Sequence, residues 1–279
     1  MTGARALGGS PPLLLAVAVV LVVFAGFPFA WMISTAFKES HEIFATPPSL
    51  IPRAWTLGNL ERLFTETKAL TYLRNSIVVS LSTVVLVIAV ATPAAYSLTR
   101  FRFPGREQLA GTILFTYMFA PIMIIVPFYV MMRFLRLTNS HVGLVLAYTA
   151  FCLPFALWML RTFFQSIPLD IEEAAMVDGA NRFQTVLYVV LPLALPGVIA
   201  TSIFTFILTW NDYIFARILI SADELKTLPV GIADLYSASV VDWGMIMAAG
   251  LLVLAPVLGV FFVIQKYMVA GLGAGAVKG

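Results

Sequence analysis

Side chains able to do covalent or metal chemistry are scarce in this 279-residue chain and poorly placed for it. The one cysteine, Cys152, lies inside an apolar stretch and has no second cysteine with which to form a disulfide or a thiolate metal site. His41 and His141 are far apart and outside any metal-ligand spacing such as HExxH. Hydrolysis needs a nucleophile with an activating base, or a metal held by histidine and carboxylate, and the apolar stretches hold neither pair. No GxxxxGK[ST] is present, so nucleotide phosphates have no backbone cradle here. These absences point away from an enzyme and from a resident metal or cofactor. What stands out instead is EEAAMVDGANRF, Glu172 to Phe183, which keeps three acids, paired alanines and a glycine between two long apolar runs. A second cluster, Trp210-Asn211-Asp212-Tyr213, sets an acid and an amide beside aromatic rings. An acid at membrane depth is a functional candidate by default.

The elements that carry these clusters follow from composition. With 61% hydrophobic and 11% charged residues, the chain falls well short of the roughly 25% charge of a water-soluble globule and belongs in a bilayer. Helices of about 20 apolar residues cross about 30 Å of hydrocarbon. Six stretches qualify, approximately Pro12 to Thr35, Asn75 to Leu98, Gln108 to Met132, His141 to Leu160, Pro196 to Ala216 and Gly244 to Lys266. The expected fold class is all-α integral membrane, with six transmembrane helices. The first stretch outlasts the roughly 7 to 15 residues of a leader's apolar region, and Ser34-Thr35-Ala36 comes late for a cleavage site; it reads as an uncleaved span. Pro28, Pro93, Pro121, Pro127, Pro154 and Pro256 each remove a backbone hydrogen bond and predict kinks, which suit a protein that opens and closes. Proline is also commoner in membrane helices in general.

Residues Ala36 to Arg74 form the largest extramembrane loop. The net charge of +3 is spread over many loops without a basic face, so nucleic acid is not an expected partner. An even number of spans puts both termini on one side. With the termini inside, eight basic residues lie inside and nine outside, and the dense trio Arg100, Arg102 and Arg106 favours a cytoplasmic loop after the second span.

Around the acid cluster, Pro168 precedes Asp170, and Glu173 follows three residues later, the spacing of a capping box. Glu172 and Glu173 then fall in the first turn of a helix, where its dipole favours negative charge. Asp178-Gly179 predicts a sharp stop, because glycine takes positive φ cheaply. Phe183, Val186, Leu187 and Val190 are spaced for one apolar face of a second helix leading to Leu191-Pro192 and the fifth span. Ala174 and Ala175 leave the first helix's backbone open to close approach by a partner. An ordinary interfacial helix with no partner fits the same local pattern.

Glu173-Ala174-Ala175, Gly179 and Val189-x-Leu191-Pro192 resemble the EAA loop of ABC importer permeases, with Val189 where isoleucine is common; the longer form EAAxxDGA is completed by Asp178 and Ala180. Gln265-Lys266-Tyr267, Val269-Ala270-Gly271-Leu272 and Ala274-Gly275-Ala276-Val277-Lys278-Gly279 are similar to the tail of the carbohydrate-uptake, maltose-type branch. So are Asn75-Ser76, Phe103-Pro104-Gly105 and Trp210-Asn211-Asp212. The resemblance implies a type I ABC importer permease fold with a cytoplasmic coupling (EAA) helix, in a bacterial inner membrane with both termini cytoplasmic. It divides the chain into residues 1–70 (first span and extracytoplasmic loop), 71–267 (permease core of five spans, EAA loop at 167–196) and 268–279 (cytoplasmic tail).

The implied partners are a second homologous permease, two copies of an ABC ATPase that use ATP and Mg, an extracytoplasmic sugar-binding protein and membrane lipid. Glu172, Glu173, Ala174, Ala175, Asp178, Gly179 and Ala180 would dock the ATPase. Trp210, Asn211, Asp212 and Tyr213, with Tyr148 and Tyr117, offer aromatic faces beside hydrogen-bonding groups, as a sugar's C–H faces and hydroxyls require; belt aromatics and helix packing explain them as well. The alternative is a secondary, ion-coupled transporter, but such proteins usually carry internal repeats and buried coupling acids. This chain shows no convincing repeat and offers only Asp212.

Overall fold

The computed structural model describes residues 11–118, 121–236 and 241–275, and every regular element among them is a helix. In chain order these are α1 (Pro11–Ala36), α2 (Ser40–Ile43), α3 (Gly58–Glu66), α4 (Ala69–Arg100), α5 (Arg106–Thr116), α6 (Pro121–Phe134), α7 (His141–Gln165) and α8 (Leu169–Val177). There follow α9 (Arg182–Thr185), a π-helical turn (Val186–Val190), α10 (Leu191–Leu193), α11 (Leu195–Asn211), α12 (Ile214–Leu219), a 3-10 turn (Asp223–Leu225), α13 (Leu228–Tyr236) and α14 (Trp243–Gly275). By length and apolarity α1, α4, α7 and α14 can each cross a bilayer, and the bent pair of 182–193 and 195–211 makes a fifth span if taken together.

Two expected spans are interrupted. The stretch from Gln108 to Met132 is split, with α5 ending at Thr116 and α6 opening at Pro121. Proline suits a first helical position because its missing N–H has no partner there anyway, and Pro121 is the first described residue of α6. Pro28, Pro93, Pro127, Pro154 and Pro256 do lie inside helices. The stretch from Pro196 to Ala216 breaks at Asp212, which is extended (φ −70, ψ 130). Its carboxylate accepts from the backbone N–H groups of Phe215 (3.0 Å) and Ala216 (3.2 Å). A short acidic side chain thereby competes with helix continuation and caps the next helix instead.

One compact unit gathers the described residues within Met1–Lys68 and Ile232–Leu254. In it α1 is apolar all round and leaves its side chains open as far as Ala30, as a helix facing lipid should. Burial begins at Ser34. Just beyond, Lys38 donates to the Ser49 carbonyl and stands 4.8 Å from the Trp31 ring. Glu42 accepts from Ser49 Oγ (2.6 Å) and from the Arg53 N–H (3.0 and 3.1 Å). The Ser49 hydrogen bond leads in holding the Glu42 carboxyl below its ordinary value, against the opposing effect of burial. Asn59 donates to the carbonyls of Ala36 and Lys38 (3.0 and 2.8 Å), tying α3 to the end of α1.

The second unit gathers the described residues within Ala69–Gly231 and Ala255–Gly279. Its centre is the pair α4 and α7, with α11 packed against both. Ala91, Ala95 and Ala156 are fully buried at this seam; in a bilayer, where burial out of water drives little, small residues let helix backbones approach and gain dispersion contact. Gly197 on α11 is a close approach of this kind, since a Cβ there would stand 2.3 Å from Phe163 Cγ. One apolar cluster, including Val87, Tyr96, Leu160 and Phe164, fills the C-terminal halves of α4 and α7. A second, including Val79, Leu144, Phe215 and Leu219, fills their N-terminal halves. A polar latch closes that second end. Asn75 donates to the carbonyls of Glu224 (2.8 Å) and Lys226 (2.9 Å), Ser76 Oγ accepts from the Leu228 N–H (2.8 Å), and Tyr72 donates to Asp223 (2.8 Å).

Candidate functional site

The acid cluster folds into an elbow. Helix α8 begins at Leu169, with Pro168 (φ −59, ψ 139) at the N-cap and no side-chain cap bond. Asp170 therefore lies inside the first turn, and the capping box expected at Asp170 and Glu173 does not form. Proline at the cap already sets the extended geometry there. The reciprocal box appears one helix later: Asn181 accepts from the Gln184 N–H and donates its own N–H to the Gln184 side chain, both at 2.9 Å. Between the two helices Gly179 takes φ +93. The Ala180 N–H reaches the Ala175 carbonyl (3.1 Å) and the Gly179 N–H reaches that of Met176 (3.1 Å). This crossed pair is a Schellman closure, whose left-handed position suits glycine.

Glu173, Ala174, Asp178 and Gly179 are exposed on the elbow, with Ala175 and Ala180 half-buried. Glu172 is set apart from them. It is the one buried side chain of α8, 4% exposed, and its carboxylate accepts from Arg100 Nε (2.6 Å) and Tyr96 OH (2.9 Å) at the end of α4. Arg100 also donates to the Ile167 carbonyl (2.8 Å), just before α8. The Tyr96 ring meets Phe101 and Phe164 edge-on, each at 6.1 Å. Neither Tyr96 nor this use of Arg100 was expected from sequence. The available signal was their i, i+4 spacing at a span end, which puts both on one helix face.

After Asn181 the chain does not run straight into the fifth span. Val186–Val190 widens to a π turn, in which the Leu191 N–H bonds the Val186 carbonyl. Pro192 cannot donate and its ring crowds the carbonyl four residues back, so a wider turn before it relieves the clash. A further break at Ala194 bends the two helical pieces by 74°. The expected apolar face is divided: Val190 is fully buried, while Phe183 and Leu187 are exposed and line, with Val186, Ile88, Pro93 and Tyr96, an apolar cavity of about 890 Å³.

The second cluster is also divided. A cavity of about 520 Å³ brings Tyr117, Tyr148 and Asp212 together with Thr209, Phe128 and Phe151. Tyr148 OH donates to Asp212 (2.8 Å). Trp210, Asn211 and Tyr213 do not line it. Trp210 is buried and stacks on Phe206 at 5.5 Å, the Asn211 amide donates to the Ile207 carbonyl (2.9 Å), and the Tyr213 ring is exposed. Trp210 and Asn211 close α11 about 100° apart, and the chain leaves the helix at the extended Asp212, so the four positions do not share one face. Phe128, Phe151 and Phe215, mutually in ring contact, supply the aromatic wall instead. Among the described residues no three His, Cys, Asp or Glu side chains gather as a metal site.

The described residues thus form an all-helical membrane protein with four to five apolar spans and an exposed elbow after α7. Residues 88–273 match the family described as "Binding-protein-dependent transport system inner membrane component". The inner membrane ABC transporter permease protein YcjP of Escherichia coli is 36% identical, over 93% of this chain and 94% of that one. The trehalose/maltose transport system permease protein MalG of Thermococcus litoralis is 33% identical over 96% of each. A bacterial ABC transporter involved in the import of the acidic polysaccharide alginate superposes with a TM-score of 0.80 at 26% identity, covering 96% of this chain and 99% of its counterpart. The chain belongs to the ABC transporter permeases, the non-catalytic, multi-pass inner-membrane components of binding-protein-dependent transport systems.

Proposed function

We propose that this chain is one permease subunit of an ATP-driven sugar importer, that α8 is the element gripped by an ATPase subunit, and that the cavity around Tyr148 and Asp212 belongs to the sugar path. One observation carries the docking role: α8 exposes Glu173, Ala174, Asp178 and Gly179 on a short helix closed by a left-handed glycine. Small side chains and an open helix end leave a partner room to seat against the backbone. Relatives named for trehalose/maltose and alginate support a sugar or oligosaccharide as cargo. A cavity combining aromatic faces with an acid and a hydroxyl suits the C–H faces and hydroxyls of such a ligand.

In this scheme the chain has six spans, with α5 and α6 forming an interrupted third and α11 ending the bent fifth. Both termini and α8 face the cytoplasm, the side favoured by Arg100, Arg102 and Arg106. A second permease, two ATPase chains using ATP and Mg, and an extracytoplasmic binding protein complete the importer. ATP binding to one state of the ATPase pair biases the permease between inward-open and outward-open forms by differential affinity. The test is Glu173→Lys and Gly179→Trp in the assembled importer. Both variants should insert at wild-type abundance yet lose ATPase copurification and uptake. Normal copurification with normal uptake would refute the docking role.

A further inference from the structure

On the docking role assigned to α8 above, we propose that Glu172, Arg100 and Tyr96 form the link through which movement of α8 is passed to α4, so that Glu172 is a transmission residue and not a docking one. Apart from the packing of its backbone against α9 and the π turn, helix α8 has little side-chain hold on the bundle. Leu169, Ile171, Met176 and Val177 are all exposed, and Glu172 is the one side chain of the helix that is buried. An apolar contact slides when its partner shifts, because dispersion is non-directional and each atom pair contributes little. A charge-assisted hydrogen bond is short and directional, and the guanidinium fork cannot lose its proton.

Here that fork holds two parts of one segment at once. Arg100 Nε grips the Glu172 carboxylate at 2.6 Å, and the same guanidinium grips the Ile167 carbonyl at 2.8 Å, just ahead of α8. Tyr96 OH takes the other carboxylate oxygen at 2.9 Å from one turn further up α4. The side chains of Arg100 and Glu172 are 7% and 5% exposed, so water has little access to replace either partner if the helices separate. α8 and the end of α4 therefore move as one body, and Tyr96, wedged between Phe101 and Phe164, carries the displacement into the apolar cluster of α4 and α7.

The experiment uses the complete importer reconstituted in lipid vesicles with its binding protein, and reads ATPase copurification, ATP hydrolysis and sugar taken up per ATP. Glu172→Gln and Arg100→Gln should each keep the ATPase within about twofold of its normal copurification while uptake per ATP falls about tenfold or more, the scale on which a lost charge-assisted bond acts. The exchanged pair, Glu172→Arg with Arg100→Glu, should recover part of that loss. Unchanged uptake per ATP in both single variants would overturn the inference, as would a loss of uptake that tracks loss of the ATPase. If the single variants fail to accumulate, Tyr96→Phe decides, since it leaves the ion pair in place. A fall in uptake per ATP of about threefold or more with normal docking supports the link, and no fall overturns it. Should Glu173→Lys leave docking intact while Glu172→Gln uncouples, the docking face has been misplaced and the link to α4 stands.

Discussion

Gly179 offers a clean separation of backbone strain from steric fit. Its φ of +93 lies where L side chains are strained, and a Cβ there would meet nothing within 4 Å. Within this chain, Gly179→Ala therefore adds strain and no clash. A non-glycine residue held left-handed costs about 1–2 kcal/mol, a factor of about 5 to 30 in the population of the closed turn. If the partner binds only the closed elbow, its apparent affinity falls by up to that same factor. Asparagine is larger than alanine but visits the left-handed region far more readily, so Gly179→Asn should be the milder change. The assay is titration of ATPase subunits onto permease complexes in nanodiscs, with uptake measured in parallel. The expected order of affinity is Gly, then Asn, then Ala. An order that follows size, with Ala above Asn, would refute the backbone argument and place the constraint in the partner's cleft.

Gly197→Ala should overpack the seam between α11 and α7, since the added carbon would sit 2.3 Å from Phe163 Cγ. A cost of about 1–3 kcal/mol is expected, read as a lower Tm of the detergent-solubilised complex and partly recovered by Phe163→Leu in the same chain. Tyr148→Phe removes one of the hydrogen bonds to Asp212 and leaves the two from Phe215 and Ala216. Uptake should fall roughly tenfold at equal abundance if that hydroxyl faces cargo, whereas a purely structural bond would show in Tm alone. The Glu42 carboxyl is held below its ordinary value of 4.5. Its stabilising contribution is complete above that pH and is lost as pH falls through the lower folded value. The Tm gap between wild type and Glu42→Gln should accordingly be constant from neutral pH to about 5 and close below about 4.5, and a gap that persists under acid would contradict the role given to Ser49 and Arg53.

Much of the molecule was legible in the chain itself. A composition of 61% hydrophobic and 11% charged residues leaves too few polar side chains to face water, which dictates helices in a bilayer because backbone groups must there be satisfied internally. The stop at Asp178-Gly179 was equally legible, because the need for positive φ is a property of one residue and its immediate neighbours. Ala174 likewise leaves a small, exposed side chain on α8, whereas Ala175 is half-buried.

Contacts between distant segments had to await the fold. The sequence reading grouped Glu172 with Glu173 in the docking set, since adjacent acids in a first helical turn look alike. Which of the two points inward depends on where the end of α4 lies, and Arg100 stands 72 positions away in the chain. The capping box read at Asp170 and Glu173 does not form, because the extended Pro168 already caps α8; the structure has one instead at Asn181 and Gln184. Trp210 to Tyr213 read as one cluster because they are consecutive, yet Trp210 packs inside the last turn of α11 while the break in the helix at Asp212 turns that carboxylate to join Tyr148 and Tyr117. Local conformational preference is written residue by residue, whereas the pairing of charges and the walls of a cavity arise where helices cross, a relation that tertiary packing alone supplies.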